Sequence, residues 1–219
     1  MVFKSNEKRE RRIEAALQPL REAREEWERV ASLPGTRVVW KWQAKKQYEL
    51  TVNDTCMATV QLGSFGGVKT LSIDVDERRI DYECRRLWLQ REVGRWPKGG
   101  ASKLVEVTTG RPAFITTGTH LDHDANGTIE LPGHGTFGFP VQGTNTLNAV
   151  MSAVDESGKS QLHYRIGDPK LAIKTRQQWD SLEVVIAPDC QIPMESVLLL
   201  IAASSSWLRT YFQLSISVA

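Results

Sequence analysis

Tyr48-Glu49-Leu50-Thr51-Val52 is followed by Asn53-Asp54 and then, after three more residues, by Ala58-Thr59-Val60. Side chains alternate between the two faces of a strand, so Tyr48, Leu50 and Val52 share one face and Glu49, Thr51 and Asn53 the other. Asn-Asp between two such runs is turn chemistry, which makes the stretch a hairpin with one face for a core. The same period continues. Leu71, Ile73 and Val75 alternate with Ser72, Asp74 and Asp76; Ile80, Tyr82 and Cys84 with Arg79, Asp81, Glu83 and Arg85; Leu162, Tyr164 and Ile166 with His163 and Arg165. Turn residues at Gly66-Gly67, Asp76-Glu77, Asn126-Gly127, Ser157-Gly158 and Gly167-Asp168-Pro169 separate the runs. From residue 37 to about 187 the chain reads as a long antiparallel meander. No helix-period segment intervenes, so a parallel α/β sheet is excluded.

Both ends of the chain leave this period. Residues 4–29 are dense in mixed charge, with Ile13, Leu17, Leu20, Trp27 and Ala31 at three- and four-residue steps, the pattern of a narrow-striped amphipathic helix. Pro19 predicts a kink near Gln18 or a second helix opening there, and Pro34-Gly35 ends the segment. At the other end Val197-Leu198-Leu199-Leu200-Ile201-Ala202-Ala203, three serines, Trp207 and Leu208 form a helix-length run that is apolar on every side. A membrane span needs about 20 apolar residues. This run lies between Glu195 and Arg209, so it reads as a buried helix, and among strands its economical place is the middle of a closed barrel.

The chain has 219 residues, 41% hydrophobic and 25% charged, which excludes collagenous, mucin-like and wholly disordered classes. Cys56, Cys84 and Cys190 are odd in number and scattered, against a disulfide framework or a CxxC zinc site, and fit a reducing compartment. The charged N-terminus has no apolar h-region, so an intracellular, cytoplasmic protein is expected, with Asn53 and Asn126 unglycosylated.

The meander of 48–52 and 58–60, repeated through Leu87-Trp88-Leu89 and His163-Tyr164-Arg165-Ile166 and closed by the apolar segment 194–212, resembles the tubby C-terminal-like group, which includes the phospholipid scramblases and LURP-one proteins. The resemblance covers roughly residues 37–212 and rests on layout. It implies a 12-stranded barrel around the C-terminal helix and, for some members, binding of phosphoinositides or other membrane lipids. No local motif carries the lipid-binding residues of that group onto positions of this chain.

Four chemical constellations follow from the residues themselves. Asp122, Asp124 and Asn126, followed by Gly127, reproduce the front half of a calcium loop, but Gly133 stands where the bidentate glutamate belongs; a polar turn explains the same residues, and the alternative is a weak divalent-cation site. His120, His123 and His134 match no zinc spacing. Gly63-Ser64-Phe65-Gly66-Gly67 is not a nucleophile elbow, phosphate-loop signatures are missing, and Cys84 and Cys190 read as small core residues, so there is no positive case for an enzyme. Residues 37–100 hold twelve basic and eight acidic side chains. Their basic residues stand among tryptophans: Arg37, Trp40, Lys41, Trp42, Lys45 and Lys46, then Arg78, Arg79, Arg85, Arg86, Trp88, Arg91, Arg95, Trp96 and Lys98. Cations beside tryptophan suit an anionic lipid surface or, less well, single-stranded nucleic acid; solvated charges over core tryptophans are the plain reading.

These readings define a mainly β fold: an N-terminal charged helical arm (1–36) and a closed antiparallel β-barrel (37–219) around a buried C-terminal hydrophobic helix at about 193–212. The expected function is a non-enzymatic binding or adaptor domain, cytoplasmic or peripheral at an anionic phospholipid membrane surface. The candidate ligand residues are Lys41, Lys45, Lys46, Arg85, Arg86 and Trp88. A protein-interaction scaffold, using residues 4–33 for a protein partner or self-association, and a metal-dependent enzyme are the alternatives. No cofactor is expected beyond a weak divalent cation at Asp122, Asp124 and Asn126.

Overall fold

The structure, a computed structural model, describes residues 14–15, 18, 21–22, 24–44, 47–62, 68–86, 102–117, 128–142, 149–166 and 181–204. It holds thirteen strands among these: β1 (Arg37–Ala44), β2 (Gln47–Val52), β3 (Thr55–Leu62), β4 (Val68–Val75), β5 (Arg78–Arg86), β6 (Ser102–Glu106), β7 (Pro112–Thr117), β8 (Thr128–Leu131), β9 (Gly135–Gly138), β10 (Val141–Gln142), β11 (Ala149–Val154), β12 (Ser160–Ile166) and β13 (Ser181–Ile186). They make one mainly antiparallel sheet in sequence order, and β1 returns to pair with β13, from Arg37↔Val185 to Lys41↔Ser181.

A ring whose neighbours are all antiparallel needs an even number of members, and thirteen is odd. Pro140 resolves this. Gly138 pairs with Val154, the Ser152 N–H donates to the Pro140 carbonyl at 3.1 Å, Val141 pairs with Met151 and Gln142 with Val150. One register runs through all four contacts, so β9 and β10 are two halves of a single position in the wall. Proline has no N–H to give a ladder, and the strand divides there. Twelve positions remain, and the sheet is nearly closed into a barrel.

The alternation read from sequence sorts the side chains. Leu50, Leu71, Ile73, Tyr82, Leu162 and Tyr164 belong to one buried cluster that draws on strands all around the wall. Outward positions of β4 and β5, such as Asp74, Arg79 and Asp81, are exposed, the reverse of a lipid-facing barrel wall. About eight strands are filled by their own side chains, and a wider barrel needs other filling. Residues 194–204 form helix α2, whose residues 197–203 are buried in that same cluster. The expected continuation to residue 212 lies outside the described residues. No helix among the described residues is long and apolar enough to cross a membrane.

Residues 24–32 form helix α1, and residues 14, 15, 18, 21 and 22 are helical as well; Pro19, and with it the expected kink, lies outside the described residues. A second, smaller cluster joins α1 to the barrel: Val30 is buried with Val150 and Val185, and Trp27 and Leu33 pack against them. The chain then passes β13 closely. Gly35 has φ +143°, and a Cβ there would stand 2.2 Å from the Ile186 carbonyl oxygen, which only glycine permits.

Strand direction alternates, so the connections fall alternately at two ends of the barrel. One end carries the short turns 53–54, 76–77, 107–111, 132–134 and 155–159, and is the turn end. Segments 45–46, 63–67, 87–101, 118–127, 143–148 and 167–180 leave and return at the other, the loop end. These segments lie outside the described residues; the strands establish only the end to which each belongs.

Candidate site at the loop end of the barrel

The two ends differ in charge. The six loop-end segments hold eight basic residues and five acidic ones, and include Trp88, Trp96 and Trp179. The turns, with residues 187–193 that lead into α2 at the same end, hold two basic and six acidic residues. The turn end is also tightly built. Asp155 accepts the N–H groups of Ser157 and Lys159, the Ser157 hydroxyl and the Gln161 amide, and these hydrogen bonds, Ser157 first, lower its carboxyl pKa to about 2.

The residues expected to bind a ligand distribute as follows. Lys45, Lys46 and Trp88 lie outside the described residues, and Arg85 and Arg86 are described as backbone positions of β5, paired with Lys103 and Ser102. Ala44 and Arg86, the strand ends next to these residues, are both at the loop end. Lys41 is different. Its ammonium pairs with Asp54 Oδ1 at 2.8 Å, on the turn end, and the hydrogen bond and charge of Lys41 hold the Asp54 carboxyl below the ordinary range. Arg37, at the start of β1, is also far from the loop end. Trp40 is buried and packs on Tyr48 with tilted rings and centroids 4.8 Å apart, so it is core.

Asp122, Asp124 and Asn126, the candidate cation ligands, lie outside the described residues, in the segment that follows Thr117 at the loop end. His134 sits in the 132–134 turn, its N–H donating to the Leu131 carbonyl at 2.9 Å, with β8 between it and the segment of His120 and His123. Among the described residues no group of three or more His, Cys, Asp or Glu is placed to hold a metal.

Sequence reasoning missed a polar network on the outer wall. Strand register lines up two rows there, Val150-Arg165-Glu183-Val39 and Ser152-His163-Val185-Arg37. The Arg165 guanidinium lies 3.9 Å over the Trp27 ring and pairs with Glu183. Arg37 pairs with the other Glu183 oxygen at 3.3 Å and donates to the carbonyls of Ala31 and Leu33 at 2.9 and 3.0 Å. Those carbonyls are the groups a helix leaves unpaired at its C-terminus, where a cation is also favoured by the dipole. The available signal was Val184-Val185-Ile186 and Ala149-Val150-Met151, runs that are apolar on both faces and so need cover on both.

Two tyrosines bond to α2. The Tyr82 hydroxyl donates to Glu195 Oε1 at 2.6 Å in the first turn, and the Tyr164 and Ser204 hydroxyls are 3.0 Å apart at the far end. Burial raises both phenols, and for Tyr82 the Glu195 carboxylate adds to the rise, so both remain protonated. Comparison of the chain with protein-family models, with curated proteins and with solved structures gives no match.

Proposed function

We propose that the chain is a tubby-like, non-enzymatic binding module: a barrel with α2, continued to about residue 212, as its axle, that presents its loop end to an anionic phospholipid surface. The observation that carries this reading is the opposite charge of the two ends. Each Lys or Arg near an anionic membrane contributes about 1 kcal/mol, and interfacial tryptophan anchors the same surface. The loop end combines both, with Lys45, Lys46, Arg85, Arg86 and Trp88 as contact residues. The ring of twelve wall positions and the apolar helix in its core are the layout that the tubby-like resemblance implies. Lys41 has less part in this reading, since Asp54 holds it at the turn end.

Co-sedimentation with vesicles of neutral lipid, and of neutral lipid doped with phosphatidylserine or a phosphoinositide, tests it. Binding is expected only to anionic vesicles and to fade with salt, as exposed charges are screened within about 10 Å at 0.1 M. Replacing Lys45, Lys46, Arg85 and Arg86 by Glu should remove at least about 4 kcal/mol, close to a thousandfold, while Asp76→Lys with Glu77→Lys at the turn end should leave affinity within a few-fold. Equal losses from both variants sink the reading. Binding of oligonucleotides in place of vesicles transfers the loop end to nucleic acid.

A further inference from the structure

The outer wall under α1 carries an inference independent of the lipid reading. The row Ser152-His163-Val185-Arg37 crosses β11, β12, β13 and β1, and α1 lies on it: Val185 is buried beneath Val30, and Arg37 holds the carbonyls of Ala31 and Leu33. His163 is therefore a half-buried imidazole within the footprint of a helix, with Nδ1 3.1 Å from the Ser152 hydroxyl.

The charges around it come from every side. From α1, Glu26 and Arg29 act on the ring, and they are paired with each other at 2.6 Å. On its own strand stands Arg165, from β13 Glu183 and from β1 Arg37; β11 offers Ser152 and no charged residue. Glu183 is shared by two arginines, and Glu26 is engaged by Arg29. Among the described residues no carboxylate near the ring is left over to receive an imidazolium.

We propose that His163 is a proton-operated release for α1: protonation of the imidazole in this covered row loosens residues 24–33 from the outer face of β11–β13. Burial, and after it the charge of Arg29, lowers the His163 pKa, with Glu26 opposing. The sign follows. A depressed imidazole favours the docked helix when neutral, so docking is complete above about pH 6.5 and is lost as pH falls below it, through the lowered value in the docked state. Glu26, lowered by its hydrogen bond to Arg29, titrates below the ordinary carboxylate range and leaves the window from pH 7 to 5 to His163.

Amide hydrogen exchange on the full chain tests this, with protection of residues 24–33 expressed relative to residues 71–73 of β4 to cancel the intrinsic pH dependence. Relative protection is expected to fall between pH 7 and 5, by no more than about tenfold per pH unit for one proton. In His163→Asn, which keeps a partner for Ser152, it should be level across that range. In Arg29→Gln, which frees Glu26 for the imidazolium, the fall should shrink or reverse. A level wild-type profile overturns the proposal, and so does an equal fall in His163→Asn. Should that variant not fold, an NMR titration of the wild-type His163 ring decides: a midpoint below that of a model imidazole supports the release, and one at or above it overturns it.

Discussion

The turn end and the loop end are built from the same strands, yet they obey different constraints. At the turn end Asn53-Asp54 and Asp76-Glu77 reverse the chain in two residues, all four with positive φ, and Asp155 gathers four donors. These connections have little freedom and carry acid. The loop end has segments of up to fifteen residues, 87–101, and carries base and tryptophan. Short turns satisfy a barrel's geometry, and the longer connections all belong to the other end. The α2 helix starts beside the turns, and its Ser204 meets Tyr164 of β12.

The sharpest break of that comparison is to remove the helix. Leu200 is fully buried. An unpaired carboxylate there costs several kcal/mol against a total stability of about 5–15 kcal/mol, so Leu200→Asp should abolish cooperative unfolding in a calorimeter. Leu200→Ala should leave a folded chain weakened by about 2–5 kcal/mol. Soluble, cooperatively melting Leu200→Asp would show that both ends are held without α2.

Next comes the loop end itself. Arg85 and Arg86 close β5 at the loop end, opposite Lys103 and Ser102 of β6. Arg85→Glu should lower vesicle affinity about fivefold, the share of one cation near an anionic surface. Arg86→Glu should have an effect of the same size. Unchanged affinity in both would remove the end of β5 from the binding surface.

How far the sequence reaches can be judged from single residues. Leu50, Leu71, Ile73, Tyr82, Leu162 and Tyr164 are inside because alternation is local and their neighbours are polar. Closure is not local: β1 meets β13 across some 140 residues, and no pattern within either strand names the other. Nor does any local pattern show that Pro140 makes one wall position of two strands. The basic cluster was grouped by nearness in sequence, but a strand of eight residues runs the length of the wall, so Arg37 and Lys45 belong to opposite ends. Val30 went unread because its partners, Val150 and Val185, are strand residues facing away from the core.

The two ends of α2 can be compared through their tyrosines. Tyr82→Phe strips a donor from the Glu195 carboxylate, a charged hydrogen bond that contributes about 1.5–3 kcal/mol. Tyr164→Phe leaves Ser204 bonded to the Ile201 carbonyl at 3.0 Å, so it should cost only about 1 kcal/mol. At about 2–4 °C per kcal/mol, differential scanning calorimetry resolves the difference. The reverse order would place the firmer attachment of the helix at the loop end.

The smallest effect lies in the turns. Asp76 and Glu77 have φ 51° and 61°, and Asn53 and Asp54 have φ 48° and 61°, the left-handed pair that a type I′ hairpin demands. Glycine takes this conformation freely, whereas a longer side chain is strained there by about 1 kcal/mol. Glu77 is exposed and has no ion pair or side-chain hydrogen bond among the described residues, so Glu77→Gly should raise stability by up to about 0.5 kcal/mol, the strain relief less the added freedom of the unfolded chain. Asp54→Gly gains the same relief but loses the pair with Lys41. An exposed pair contributes little, so the two terms nearly cancel and the melting temperature should hardly move. That variant also frees Lys41 from the turn end. If vesicle affinity rises in Asp54→Gly but not in Glu77→Gly, Lys41 can join the basic surface once released; if affinity is the same in both, Asp54 has no hold on the binding end.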